Sequence, residues 1–118
     1  MSIETLQEIL IECYSKALCY PKVQNNWNEN NKCLGMCAIT SLVVNDYFNG
    51  QICKIYVDGN SHYFNLIEGK IIDLTSSQFN HEIDYNNYQI IDRNKILTDN
   101  TEQRYNILKK KINKISKS

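Results

Sequence analysis

The sequence predicts an α+β domain in which helices pack on a small antiparallel β-sheet. Three observations predict it. Apolar residues recur at helical spacing near the start, the middle and the end of the chain. Between the second and third of these stretches lie three short strand-like runs, parted by Asp58-Gly59-Asn60 and Glu68-Gly69, which are connections of hairpin length. No repeat, Pro-rich linker or low-complexity stretch divides the 118 residues, so a single domain over 1–118 is expected.

Ile3, Leu6, Ile9, Leu10, Cys13 and Ala17 fall on one helical face, which predicts a helix over 3–19 that Pro21 ends. Residues 22–36 include Asn25-Asn26-Trp27-Asn28-Glu29-Asn30-Asn31 and lack periodicity. They read as a loop, and it carries the chain's one Trp. A helix over 37–49 is expected to bury Ile39, Leu42, Val43 and Tyr47 and to stop at the left-handed pair Asn49-Gly50. Strands at 51–57, 61–67 and 70–75 form a β-meander over 51–75, to which Gln89-Ile90-Ile91 adds a minor strand. Asp99 is expected to cap a last helix over 100–115, with Glu102 at the capping-box position and Tyr105, Leu108, Ile112 and Ile115 as its apolar stripe.

Thirteen Lys/Arg balance thirteen Asp/Glu, so no global field draws in nucleic acid or acidic membranes. The balance is local: residues 93–118 hold eight Lys/Arg against two acids, and residues 1–92 hold five against eleven. Without interleaved aromatics or a Gly-rich phosphate loop, the basic end reads as a solvated helix face, and neither nucleic acid nor membrane is an expected partner. No apolar run approaches the roughly 20 residues that cross a bilayer. An odd count of five cysteines with no signal pattern ahead of them predicts a reduced, cytoplasmic protein. The sequence carries no signal for an oligomeric state or for a cofactor.

Cys37 opens the apolar run Cys37-Ala38-Ile39-Thr40-Ser41-Leu42-Val43-Val44. A thiol in the first turn of a helix feels the unpaired N–H groups there, which favours thiolate. If Glu68-Gly69 is a two-residue turn, His62 and Asp73 become diagonal neighbours on one face of adjacent strands. That geometry makes Cys37 a nucleophile, His62 its base and Asp73 the carboxylate that orients the ring. The Cys37 N–H is then a first oxyanion donor, with Gln24 or Asn25 as a second by position, while Trp27 can serve as a wall of the substrate groove. The plain alternatives are a small core cysteine, a half-exposed strand histidine, an aspartate that ends a strand and a Trp that anchors its loop. A different class of reading is a zinc site, in which Cys33 and Cys37 are joined by His62, Asp73 or His81.

The stretch Leu34-Gly35-Met36-Cys37-Ala38-Ile39-Thr40-Ser41-Leu42-Val43-Val44-Asn45-Asp46-Tyr47-Phe48-Asn49-Gly50 resembles a block of the bacterial YunG-like proteins. Gly59-Asn60-Ser61-His62-Tyr63-Phe64-Asn65, Ile72-Asp73-Leu74-Thr75-Ser76-Ser77-Gln78-Phe79 and Thr101-Glu102-Gln103-Arg104-Tyr105-Asn106-Ile107-Leu108 match in order, and Trp27 fits upstream. The family pattern is in turn similar to papain-like enzymes of the NlpC/P60 and transglutaminase-like kinds. The resemblance implies a papain-like minimal core and a Cys37-His62-Asp73 triad. It also implies hydrolysis or acyl transfer at an amide of a peptide or small molecule, as peptidase, amidase or deamidase. One departure bears on this: the family's Gln before the Cys is Met36 here. That favours the competing expectation, a binding or regulatory module that keeps the fold without turnover.

Overall fold

A computed structural model describes residues 1–116. Helix α1 (Ile3–Cys13) starts where the Ser2 hydroxyl accepts a hydrogen bond from the Thr5 N–H, and it buries Leu6, Leu10 and Cys13. It is shorter than the expected 3–19. At about 100° per residue, Cys19 would lie on the opposite side of a continued helix from Leu10, yet both are fully buried. The chain therefore leaves the helix at Tyr14 and makes a short 3-10 turn at Lys16–Leu18. Pro21, expected as a stop, instead begins a second 3-10 turn over Pro21–Asn26, where its fixed φ suits the first position.

Helix α2 (Cys37–Phe48) runs through the middle of the molecule, and every residue from Ile39 to Val44 is buried. The sheet lies on one side of it and α3 (Asp99–Ser116) on another, so no polar face is spared in its first two turns. Tyr47, expected in the core, lies beyond this embrace and is 41% exposed. Asn49 (φ 59°) and Gly50 (φ 75°) stop the helix, as the sequence predicts.

Strands β1 (Gln51–Val57), β2 (Asn60–Ile67), β3 (Lys70–Ile72) and β4 (Gln89–Ile91) form an antiparallel sheet in the order β3-β2-β1-β4. Both hairpins turn on two residues of positive φ, Asp58-Gly59 and Glu68-Gly69, the arrangement that matches strand twist. The pairing Asn65↔Ile72, Leu66↔Ile71 and Ile67↔Lys70 has the register of a two-residue turn. However, β3 ends at Ile72 rather than at the expected Thr75. The Asp73 carboxylate accepts from the Thr75 N–H at 3.2 Å, a local turn that takes the chain out of the ladder. Residues 60–64 of β2 consequently have no strand on that side.

The sheet buries both faces. Ile52, Tyr63 and Ile67 join the main core with α1, α2 and α3, and Asn65 on this face donates to the Ser41 carbonyl at 3.0 Å. Cys53, Ile55, Val57 and Phe64 form a second core, roofed by Phe79, Ile83 and Tyr85 from the segment after Asp73. Helix α3 begins one residue earlier than expected. Thr98, not Asp99, is the cap: its hydroxyl lies 3.5 Å from the Thr101 N and its carbonyl accepts from the Glu102 N at 2.8 Å. The helix then buries Leu108 and Ile112, with Arg104 and Tyr105 beside them.

Candidate functional site

His62 lies on the same face of β2 as Phe64, opposite Ile55, and its side chain is 1% exposed. Its Nε2 meets Asp73 Oδ2 at 2.6 Å. Because β3 stops at Ile72, Asp73 is the first residue free to turn its side chain toward β2. That carboxylate is held on both oxygens. Tyr85 donates its hydroxyl to Oδ2 at 2.8 Å, and the Thr75 N–H donates to Oδ1. The edge of Phe79 closes on the imidazole, with ring centroids 5.0 Å apart. Carboxylate and ring are therefore held by the segment that roofs the second core.

The other ring nitrogen, Nδ1, is buried and has no hydrogen-bond partner among the described residues. The side chain nearest in effect is Cys37. Burial pulls the imidazole toward its neutral form, but the Asp73 hydrogen bond and charge, together with the Cys37 thiol, outweigh it and push His62 up to about 9. Cys37 and His62 both line one cavity of about 560 Å³, bounded by the β1–β2 hairpin tip, the segment before α2 and the start of α3. Met36, the N-cap residue of α2, makes no side-chain cap, so the first-turn N–H groups that begin at Cys37 are not taken by one.

Cys37, His62 and Asp73 are thus brought together, and the remaining site candidates stand elsewhere. The Gln24 amide donates to the Lys16 carbonyl at 2.9 Å, Asn25 is exposed, and neither lines the cavity. The Trp27 indole donates to the Lys32 carbonyl at 3.0 Å and packs against the main core. Met36 is wholly buried in that core. His81 binds Asp58 at 2.9 Å rather than standing with Cys33 and Cys37, and among the described residues no three His, Cys, Asp or Glu are grouped to hold a metal ion.

Sequence reasoning missed Tyr85, Phe79 and Arg104. The first two lie in the aperiodic stretch after Thr75, where only their aromatic character in a polar segment marks them. Arg104 is a cation between Thr101 and Tyr105 on the buried side of α3. Cys13, Cys19, Cys33 and Cys53 are buried, and burial pushes each thiol up, while Cys37 is partly exposed.

The model of the YunG protein family matches residues 2–117. A Bacillus subtilis (strain 168) protein, described as uncharacterized protein YunG, is 35% identical over 85 residues, which is 72% of this chain and 73% of that protein. No solved structure matches. With its whole length but the termini matched and the relative aligned over nearly three quarters of both proteins, the chain belongs to the YunG family.

Proposed function

We propose that this chain is a papain-like thiol hydrolase or acyl transferase that acts on an amide of a peptide or small molecule in the reducing cytoplasm. The observation that carries the proposal is the buried Nδ1 of His62, which has no hydrogen-bond partner among the described residues, on a ring fixed from behind by Asp73 and influenced in front by Cys37. A buried ring nitrogen left unpaired is costly, and a nucleophile–base pair is a reason to keep one. Five free cysteines fit the reducing compartment.

In the proposed reaction the Cys37 proton passes to Nδ1, giving a thiolate–imidazolium pair. The sulfur attacks the amide carbon, a C–S bond forms, and the oxyanion is received by the first-turn N–H groups of α2. Collapse breaks the C–N bond, and the amine leaves with the imidazolium proton. Water or an acceptor amine, deprotonated by Nδ1, then cleaves the thioester and restores the thiol. Asp73 keeps its charge throughout and holds Nε2–H toward itself, so Nδ1 faces the sulfur. A binding module without turnover is the competing reading. Met36 favours it, because an apolar side chain buried in the core gives no amide to an oxyanion.

Iodoacetamide labelling of the native protein at mildly acidic pH, mapped to each cysteine by mass spectrometry, tests the pair. Cys37 is expected to react first and to slow roughly tenfold or more in His62→Ala, since free thiols are then almost wholly protonated. Equal rates at Cys37 in the two proteins would remove the base and leave the binding module.

A further inference from the structure

Arg104 lines the same cavity as Cys37 and His62, and it is 5% exposed. Its donors go to uncharged oxygens: Asn100 Oδ1 at 2.8 Å, the Leu18 carbonyl at 3.0 Å, Thr101 Oγ1 at 3.4 Å and the Gly35 carbonyl at 3.5 Å. Among the described residues no carboxylate pairs with it, whereas the less buried Arg93 has Asp46 at 2.9 Å. Burial accordingly pulls the Arg104 guanidinium down. A buried cation is expensive unless an anion faces it.

The rest of the cavity has the same sign. Lys22 and Lys95 line it, its sole lining acid is Asp58, and Asp58 is engaged by His81 at 2.9 Å. Gly35, whose carbonyl Arg104 reaches, stands two residues before Cys37. We propose that Arg104 makes this cavity a receptor for an amide that also carries a carboxylate near the reacting bond, such as an N-acylated amino acid or the free C-terminus of a peptide. The inference rests on Cys37 being the nucleophile, and it adds what the substrate must carry. Those four bonds leave one N–H of the guanidinium, on Nη2, to make a charge-assisted hydrogen bond to one carboxylate oxygen, and Lys22 and Lys95 supply attraction at the mouth.

Two electrophiles of nearly equal size test it without a known substrate. Iodoacetate carries the carboxylate and iodoacetamide does not. The ratio of their rates at Cys37 in the whole protein is compared with the same ratio for free N-acetylcysteine, so the nucleophilicity of the sulfur cancels. The expected ratio is roughly tenfold above the free-thiol value and returns to it in Arg104→Gln. A free-thiol ratio in the unsubstituted protein overturns the inference, and a raised ratio that survives in Arg104→Gln overturns the assignment to Arg104.

Should that variant fail to fold, protection of the unsubstituted protein from iodoacetamide gives the same answer. N-acetylglycine should protect Cys37 and N-acetylglycinamide should not. Equal protection by the two, or protection by inorganic phosphate that matches N-acetylglycine, overturns the carboxylate class. The two proposals fail separately. A free-thiol ratio with labelling that still depends on His62 removes only the carboxylate, and a raised ratio with no His62 dependence removes the nucleophile–base pair and leaves a carboxylate-binding cavity without turnover.

Discussion

Burial alone drives an imidazole toward neutrality, yet His62 is pushed up to about 9 because the Asp73 carboxylate and the Cys37 thiol face its two sides. The ordinary value is 6.5, so the folded chain holds this proton more tightly than the unfolded chain does. Its contribution to stability is therefore complete below 6.5 and is lost as pH rises through about 9. Urea unfolding from neutral to alkaline pH should show this loss, and His62→Gln should show a flatter profile over the same window. An unchanged slope in the variant would mean that the proton resides elsewhere. The juxtaposition of Cys37, His62 and Asp73 was legible at this scale because the three stood in order around a countable turn. Gln24 and Asn25 were chosen by position along a loop, and position does not say where an amide points. The Gln24 amide is bonded to Lys16 instead.

Among the elements, the two hairpins and the stop of α2 were legible because φ-positive turns select few residues, and Asp58-Gly59 and Asn49-Gly50 are among them. The bend after α1 was not, since it follows from burying Leu10 and Cys19 together, a tertiary demand. The segment that precedes α2 is under a tight steric constraint. A Cβ on Gly35 (φ 73°) would lie 2.4 Å from Cys19 Sγ and 2.7 Å from the Tyr20 N, whereas one on Gly59 (φ 82°) would meet nothing within 4 Å. Gly35→Ala should therefore cost roughly 3 kcal/mol through clash and strain together, and Gly59→Ala about 1 kcal/mol through strain alone. Urea midpoints of the two variants check this, and similar losses would mean that the Gly35 backbone relaxes. The segment roofing the second core escaped the sequence reading for a related reason. It has no period, and Phe79, Ile83 and Tyr85 are placed by the sheet they cover rather than by their neighbours in the chain.

At the scale of the molecule, α3 joins the two ends of the chain. Leu108 and Ile112 share the main core with Leu6 and Leu10, and the Lys111 ammonium donates to the Cys13 carbonyl at 3.2 Å. Asp46 on α2 accepts from both Arg93 and the Tyr105 hydroxyl, which ties the start of α3 to the central helix. A chain that ends at Thr98 should therefore show no cooperative urea transition, because the faces of α1 and α2 that meet α3 would be open to water. A sharp transition in that shortened chain would mean that the first two helices and the sheet fold without it. The α+β class was legible at this scale from periodicity and the two hairpin connections. The role of α3 as a wall of the cavity was not, since nothing local marks Arg104 as facing Gly35. Arg104 reaches the Leu18 carbonyl across 86 residues of chain and the Gly35 carbonyl across 69. Contacts of such separation close long loops, which costs chain entropy, and the Lys111–Cys13 bond closes a longer one across 98 residues. A chain whose two ends have not met therefore has no cation ordered beside Gly35, and that wall of the cavity is absent until α3 docks.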